Sequence, residues 1–163
     1  MRLAIISDTH MPKGRRALPD SCLELLRGAD AILHAGDLAA AEVWRDLQGI
    51  GPPVHAVHGN VDTPELRAAL PETLELRLNG VALAMIHDAG PALGRLQRLR
   101  KRFPAADAVI FGHSHQPLLE RDDEGFQIFN PGSPTERRQA PAHTMGMARI
   151  DGGRIAVELV TLD

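Results

Sequence analysis

Apolar runs and amphipathic segments alternate through the first half of the chain. Leu3–Ser7, Ala31–His34 and Val54–Val57 are short and mainly apolar, which predicts three strands in the interior of a sheet. Amphipathic stretches lie between them, over Ser21–Arg27 and Ala39–Gln48, and predict helices. The first half therefore has the alternating strand and helix order of an α/β arrangement.

The second half changes to hairpins. Leu74–Leu78 and Val81–Ile86 flank Asn79-Gly80, a dipeptide that favours a two-residue turn between antiparallel strands. Ala108–Phe111 predicts another buried strand. Two further strand pairs follow: Leu118–Arg121 with Phe126–Phe129, and Met147–Ile150 with Ile155–Val160. Two packed sheets with helices on their outer faces would accommodate both halves of the chain.

Some helix ends and faces have their own signals. Ser21 opens a Ser-x-x-Glu capping box, and Asp62 is the predicted cap of a short helix that has Pro64 in its first turn. Leu93–Arg102 is amphipathic, and Leu93 is expected on its apolar face together with the following leucines.

Composition narrows the class of protein. With 163 residues, of which 44% are hydrophobic and 24% charged, the chain fits one domain over residues 1–163. A net charge of −3 gives no general attraction to nucleic acid or anionic lipid. No apolar run approaches the ~20 residues of a membrane span, and the apolar start is too short for a signal peptide. The single cysteine, Cys22, suits a reducing compartment, so we expect a cytoplasmic protein.

Polar residues with metal-binding side chains follow the predicted strands. Taken singly, each is more typical of a turn, a helix cap or a buried histidine. Together they lie at one edge of one predicted sheet, where α/β proteins bind ligands. Glycine precedes three of them and would permit a sharp reversal of the backbone. Oxygen and imidazole donors placed in this way predict a pocket for two metal ions: Asp8, His10, Asp37, Asn60, His87, His113 and His115.

These motifs resemble those of the calcineurin-like metallophosphoesterases, which read D-x-H, G-D, G-N-x-D, H and G-H-x-H. The segment Asn130-Pro131-Gly132-Ser133 and the short length are similar to the small bacterial and archaeal phosphodiesterase branch, which also includes the retromer scaffold subunit of eukaryotes. The resemblance runs from Asp8 to Ser133. It implies a four-layer αββα sandwich of two mixed sheets, in the α+β or α/β class, and a binuclear metal site.

By position, the resemblance assigns Asp8, His10, Asp37 and His115 to one metal. Asp37 would bridge to a second metal that Asn60, His87 and His113 complete. Asp37, Asn60 and His113 are then the predicted catalytic residues. A hydroxide that bridges the metals would attack a small or activated phosphate diester. Mn²⁺ is our first choice of metal, and Fe, Zn, Co and Ni remain open because the donors are mixed.

The sequence departs from the family pattern at Val61, where the superfamily often has histidine. Valine cannot protonate a leaving group, so the alternative is a weak or inactive metal-binding scaffold that recruits a partner protein. Arg15 and Arg138 lie in loops near the motifs and are predicted, with Asn60, to contact an anionic substrate. The expected partner is a small phosphate ester rather than a membrane. The length leaves no room for a dedicated nucleic-acid-binding domain, and homo-oligomerisation through an exposed hairpin stays open.

Overall fold

The computed structural model describes residues 1–162, which form ten strands and four helices. The strands are β1 Arg2–Ile6, β2 Ala31–His34, β3 Val54–Ala56, β4 Thr73–Leu78, β5 Val81–Ile86, β6 Ala108–Ile110, β7 Leu118–Arg121, β8 Gln127–Asn130, β9 Thr144–Asp151 and β10 Arg154–Thr161. The helices are α1 Asp20–Arg27, α2 Ala41–Gln48, α3 Pro64–Ala69 and α4 Arg95–Arg102.

The strands form two mixed sheets of five. The first sheet has the order β10-β9-β1-β2-β3, in which the neighbouring strands β1, β2 and β3 are parallel, β9 pairs antiparallel with β1, and β10 pairs antiparallel with β9. The second has the order β4-β5-β6-β8-β7, in which β5, β6 and β8 are parallel and the outer strands antiparallel. Each sheet therefore has three parallel strands whose carboxyl ends lie at one edge.

Side chains on the two faces of β1 show why the sheets stack. Leu3 and Ile5 point into a core shared with Leu83 and Phe129 of the second sheet. Alternate side chains, such as Ile6, pack against α1, α2 and α3 on the other face. Because strands covered on both faces are apolar throughout, they read as continuous apolar runs in the sequence.

The second sheet is covered on its outer face by α4, through Leu99 and Phe103. Helix, sheet, sheet and helix thus form four layers, and the predicted αββα sandwich is confirmed. The apolar face of α4 differs from the prediction, because Leu93 is 91% exposed. Gly94 adopts a left-handed conformation with φ of 68° before α4 begins, which places Leu93 outside the helix.

Local capping and turn predictions had mixed outcomes. Pro19, not Ser21, is the N-cap of α1, and the Ser21 hydroxyl instead donates to the Leu162 carbonyl at 3.3 Å, so the capping-box prediction was wrong. Asn79 and Gly80 have φ of 46° and 89°, as the predicted hairpin turn requires.

No helix within residues 1–162 is both long and apolar enough to cross a membrane.

Candidate metal centre

The carboxyl ends of the two parallel strand triplets place all seven predicted ligands in neighbouring loops. Beyond β1 and β2 the chains stay hydrogen bonded, with the Asp8 amide donating to the Gly36 carbonyl at 2.9 Å and the His10 amide donating to the Asp37 carbonyl at 3.0 Å. Across the sandwich, the His113 amide donates to Oδ2 of Asp8 at 3.0 Å. The loops of both sheets therefore meet at one place.

Asp8, His10 and His115 form the first group of candidate ligands, with ligand atoms within 4.8 Å of one another. The Oδ1 atom of Asp8 lies 3.4 Å from Nε2 of His115 and 3.8 Å from Nε2 of His10. All three side chains are buried, and Asp8 Oδ1 has no hydrogen-bond partner in the described part of the chain. A buried anionic oxygen that faces two imidazole nitrogens is an arrangement that a divalent cation would satisfy.

Asp37, His87 and His113 form the second group, also within 4.8 Å. The Oδ2 atom of Asp37 lies 3.2 Å from Nε2 of His87. The Oδ1 atom of Asn60 lies 3.3 Å from His87 Nε2 and 3.0 Å from His113 Nδ1. Asp37 Oδ2 is also only 3.5 Å from Nε2 of His10. This carboxylate therefore lies between the two groups.

Backbone carbonyls orient two of the imidazoles. Nδ1 of His87 donates to the Ala35 carbonyl at 2.7 Å, and Nδ1 of His115 donates to the Glu136 carbonyl. These hydrogen bonds direct Nε2 of each ring towards its carboxylate neighbour, which is Asp37 for His87 and Asp8 for His115. Metal-binding histidines are commonly fixed by this kind of hydrogen bond.

Five of the seven side chains come from strained backbone. Asp8, His10, Asp37, His113 and His115 have φ between 45° and 69°, a left-handed region that residues other than glycine rarely adopt. Conformations of this kind cluster at functional sites, where the surrounding structure enforces them.

The glycines of the motifs serve mainly for close approach. Only Gly36 of the three has a positive φ, at 93°. A Cβ atom on Gly59 would lie 2.0 Å from Oδ1 of Asp37, and one on Gly112 would lie 1.9 Å from the Ser7 hydroxyl. Gly59 and Gly112 therefore do not use the conformational freedom of glycine, and a side chain at either position would meet the loop of Asp37 or that of Ser7 and Asp8.

Asp62 holds the loops of the second group together. Its carboxylate accepts hydrogen bonds from the amides of Gly59 at 2.7 Å, Asp37 at 3.2 Å and Ala39 at 2.7 Å. The helix cap is Thr63 instead, so the predicted capping role of Asp62 was wrong. A carboxylate that accepts hydrogen bonds from three loop amides fixes those loops relative to one another.

Residues 130–133 hold the loops of the first group. The Asn130 amide group donates to the Gly112 carbonyl at 2.9 Å and to the Ser114 hydroxyl at 3.0 Å. The Ser133 hydroxyl donates to the Asp8 carbonyl at 2.8 Å. This segment therefore supports the ligand loops from behind.

Burial and charge set the protonation of the candidate ligands. Burial would raise the pKa of the Asp37 carboxyl group, but the hydrogen bond and charge of His87 outweigh it and lower the pKa to about 2. Burial opposes protonation of His87, whose pKa is nevertheless raised by Asp37 and Asp8. Burial lowers the pKa of His115. Anionic aspartate beside imidazole is the donor set that a borderline cation prefers.

Arg15 and Arg138, the predicted substrate contacts, are not members of either ligand group. Arg15 and Arg138 are both exposed, and the positive charge of Arg138 contributes to the lowered pKa of His115. Arg16, which follows Arg15 in the same loop, forms a 2.7 Å ion pair with Glu136, whose Oε2 atom lies 3.9 Å from His10 Nε2. A charged pair 120 residues apart in sequence has no local signal. Arg15 and Arg138 stay predictions.

A cleft of about 300 Å³ opens beside the second group. Asn60 and His87 line this cleft, and Arg102 and Asp88 are among its charged lining residues. The side chain of Val61 is 44% exposed, and its amide donates to Asp37 Oδ1 at 3.0 Å. The second group is therefore open to a ligand from solvent.

The fold and the donor set together define a two-sheet protein with a candidate binuclear metal centre. Residues 1–153 match the calcineurin-like phosphoesterase superfamily domain, and the chain belongs to this family, which confirms the resemblance seen in its motifs. It is 33% identical to a "Probable metallophosphoesterase" of Methanothermobacter thermautotrophicus, over 98% of this chain and 92% of the relative.

Solved structures support the fold. Vps29 of Entamoeba histolytica complexed with Zn²⁺ is similar with a TM-score of 0.78 and 22% identity, covering 100% of both chains. A structure described as a novel archaeal phosphodiesterase has a TM-score of 0.73 and 18% identity, covering 98% of this chain and 100% of the other. At such identities the likeness concerns the architecture alone.

Proposed function

We propose that this protein is a divalent-metal-dependent phosphodiesterase that hydrolyses small or activated phosphate diesters. The observation that carries the proposal is the position of Asp37, whose Oδ2 atom lies within 3.5 Å of an imidazole nitrogen from each ligand group. Two adjoining groups that share one carboxylate match a pair of cations a few ångströms apart, as phosphoester hydrolysis requires.

Each group would hold one cation. Asp8, His10 and His115 would bind the first, His87, His113 and Asn60 would bind the second, and Asp37 would contact both. When bound, the cations supply Lewis acidity to the phosphoryl oxygens and lower the pKa of a shared water. Mn²⁺ is our first choice, and Fe, Zn, Co and Ni fit the same donors.

Side chains of the site determine the net charge of the metal pocket and its accessibility to substrate. Asp8 and Asp37 offset only half the charge of two divalent cations, so the pocket would stay positive and attract a phosphate. Asn60 and His113 are exposed, which places them where a substrate oxygen arrives. Val61 has no proton to give, and general acid assistance is worth about 10²–10⁴-fold. Diesters with good leaving groups should therefore react fastest.

The cleft beside Asn60 and His87 gives room for the second ester group of a diester. Its lining carries both charge signs, including Arg102 and Asp88, which suits a polar arm. Arg15 and Arg138 do not line this cleft, and we propose them as further contacts for the anionic substrate because their exposed charges lie in loops that carry or contact members of the first ligand group.

Hydrolysis of bis(p-nitrophenyl) phosphate with added Mn²⁺ tests the proposal. Asp37→Asn should reduce kcat by about 10³-fold or more, because this carboxylate would contact both cations. Asp123→Asn, in an exposed turn, is the matched control and should leave the rate unchanged. Metal content is measured in parallel. Two bound cations without turnover that depends on Asp37 would overturn the enzyme proposal and favour the scaffold.

A further inference from the structure

Glu136 is fixed at three points beside the first ligand group. Its amide donates to the Ser133 hydroxyl at 2.9 Å, its carbonyl accepts from Nδ1 of His115, and its carboxylate pairs with Arg16 at 2.7 Å. We propose that the Arg16–Glu136 ion pair is a positioning device for the Asp8, His10 and His115 group. This inference rests on the proposed metal centre.

The ion pair is shielded in a way that an ordinary surface pair is not. The side chains of Arg16 and Glu136 are 23% and 22% exposed, whereas those of the Arg45–Glu65 pair are both 66% exposed. Nη1 of Arg16 is buried as well. Because a partly desolvated pair is weakly screened, it holds its two loops together more firmly than an exposed one does.

The pair connects the two loops that flank the first group. Arg16 lies six residues after His10 in the loop from β1 to α1. Glu136 lies in the loop from β8 to β9, where the Thr135 hydroxyl donates to the Thr9 carbonyl at 2.6 Å. The ion pair and the Thr135 hydrogen bond are thus two separate contacts that join the same two loops.

The functional consequence passes through His115. Because the Glu136 carbonyl accepts the Nδ1 proton, Nε2 of His115 is left facing Asp8 Oδ1 at 3.4 Å. If the Glu136 side chain loses Arg16, the carbonyl is freed to move and the tautomer of His115 is no longer fixed. Removing groups that orient metal-binding histidines typically weakens metal affinity about 10–100-fold.

Calorimetric titration of the metal-free protein with Mn²⁺ tests the device. Arg16→Ala and Glu136→Ala should each weaken one of two sites by about tenfold or more and leave the other unchanged. The double variant should be no worse than Glu136→Ala alone, because both single changes remove the same ion pair and only Glu136→Ala also removes the carboxylate 3.9 Å from His10 Nε2. Glu136→Gln keeps an acceptor for Arg16 but loses the charge, so it should weaken that site less than Glu136→Ala does. Arg45→Ala is the matched control and should change neither site.

A second readout needs no metal. Long-range ¹⁵N–¹H spectra of the metal-free protein report the tautomer of His115, which should be Nδ1-protonated in wild type and mixed in Arg16→Ala. Fewer than two Mn²⁺ sites in wild type would refute the proposed metal centre. If wild type has two Mn²⁺ sites, the positioning role alone would be overturned by variants that change neither affinity or that weaken both sites equally. Additive losses in the double variant would also overturn it. So would a loss of affinity in Glu136→Gln equal to that in Glu136→Ala.

Discussion

The two ligand groups have similar donors but different surroundings. Asp8, His10 and His115 are all buried, and each has left-handed backbone. In the second group Asp37 and His87 are buried, whereas His113 and its neighbour Asn60 are exposed. One group is enclosed by loops, and the other forms the wall of a cleft.

The difference separates two tasks that a binuclear site must perform. An enclosed group with few solvent contacts can hold its cation in fixed geometry. A group with exposed members can exchange ligands with an incoming substrate. Asp37 is the proposed ligand of both cations, so damage at Asp37 should affect the whole site, while damage at Asp8 should remain local.

The largest expected effect comes from filling the space beside these aspartates. A Cβ atom on Gly59 would lie 2.0 Å from Asp37 Oδ1 and 2.5 Å from its amide nitrogen, and backbone cannot yield easily. Gly59→Ala should destabilise the metal-free protein by about 3 kcal/mol or more and abolish both Mn²⁺ sites. Gly112→Ala meets the Ser7 hydroxyl and Asp8 Oδ2, so it should abolish one site and destabilise less.

Urea unfolding in the presence of a chelator, followed by Mn²⁺ titration, checks both variants. Gly28→Ala is the matched control, because its Cβ atom would come no closer than 3.5 Å to its neighbours, and it should retain both sites. Loss of only one site in Gly59→Ala would show that Asp37 is not shared, and the comparison between the groups would fail.

Sequence pattern predicted the parts of the fold that depend on local burial. β2 and β5 occupy the predicted residues, because continuous burial produces uninterrupted apolar runs. β9 was predicted only over Met147–Ile150, since Gly146 interrupts the pattern. Its missing side chain makes room for the ring of Phe129, which would lie 2.3 Å from a Cβ atom there. That packing comes from the other sheet and leaves no local signal.

In the candidate site, too, the features with a local sequence signal could be predicted and those that depend on remote contacts could not. Its seven donors could be predicted because each lies just after a strand. The roles of Asp62 and Glu136 could not, since each acts on loops remote in sequence or on backbone groups. A local cap signal at Asp62 even suggested the wrong role. Left-handed backbone at Asp8 and Asp37 likewise could not be predicted from residue type alone, although aspartate adopts it more readily than most residues.

Acidification should destabilise the protein through His34, a buried residue that contacts the loops after β1 and β2. His34 Nδ1 accepts from the Gly36 amide, and Nε2 lies 3.1 Å from the Thr9 hydroxyl. Burial lowers the pKa of His34 to about 4 from 6.5. The unfolded chain therefore binds the proton first, so stability is full above pH 6.5 and falls as pH drops towards 4, by up to about 3 kcal/mol.

Urea unfolding of the metal-free protein between pH 7 and pH 4.5 measures this loss. The lowered pKa of His115 acts in the same direction, and the raised pKa of His87 opposes it. His34→Asn keeps an acceptor for Gly36 but cannot be protonated, so its stability should vary much less over this range. An unchanged slope in the variant would assign the acid sensitivity to other groups.

The smallest expected effect tests whether the open group faces the substrate. Arg102 lines the cleft beside Asn60 and His87, and its side chain is about half exposed, with Glu72 4.0 Å away. Arg102→Ala should raise KM for bis(p-nitrophenyl) phosphate by about fivefold, roughly 1 kcal/mol, and leave kcat unchanged. KM for p-nitrophenyl phosphate should not change, because a monoester has no second ester group to occupy the cleft.

Arg100→Ala, on the same helix but paired with Asp122, is the control. An equal rise in KM for both esters would mean that Arg102 acts on the phosphate itself, and the cleft would lose its assignment to the second ester arm.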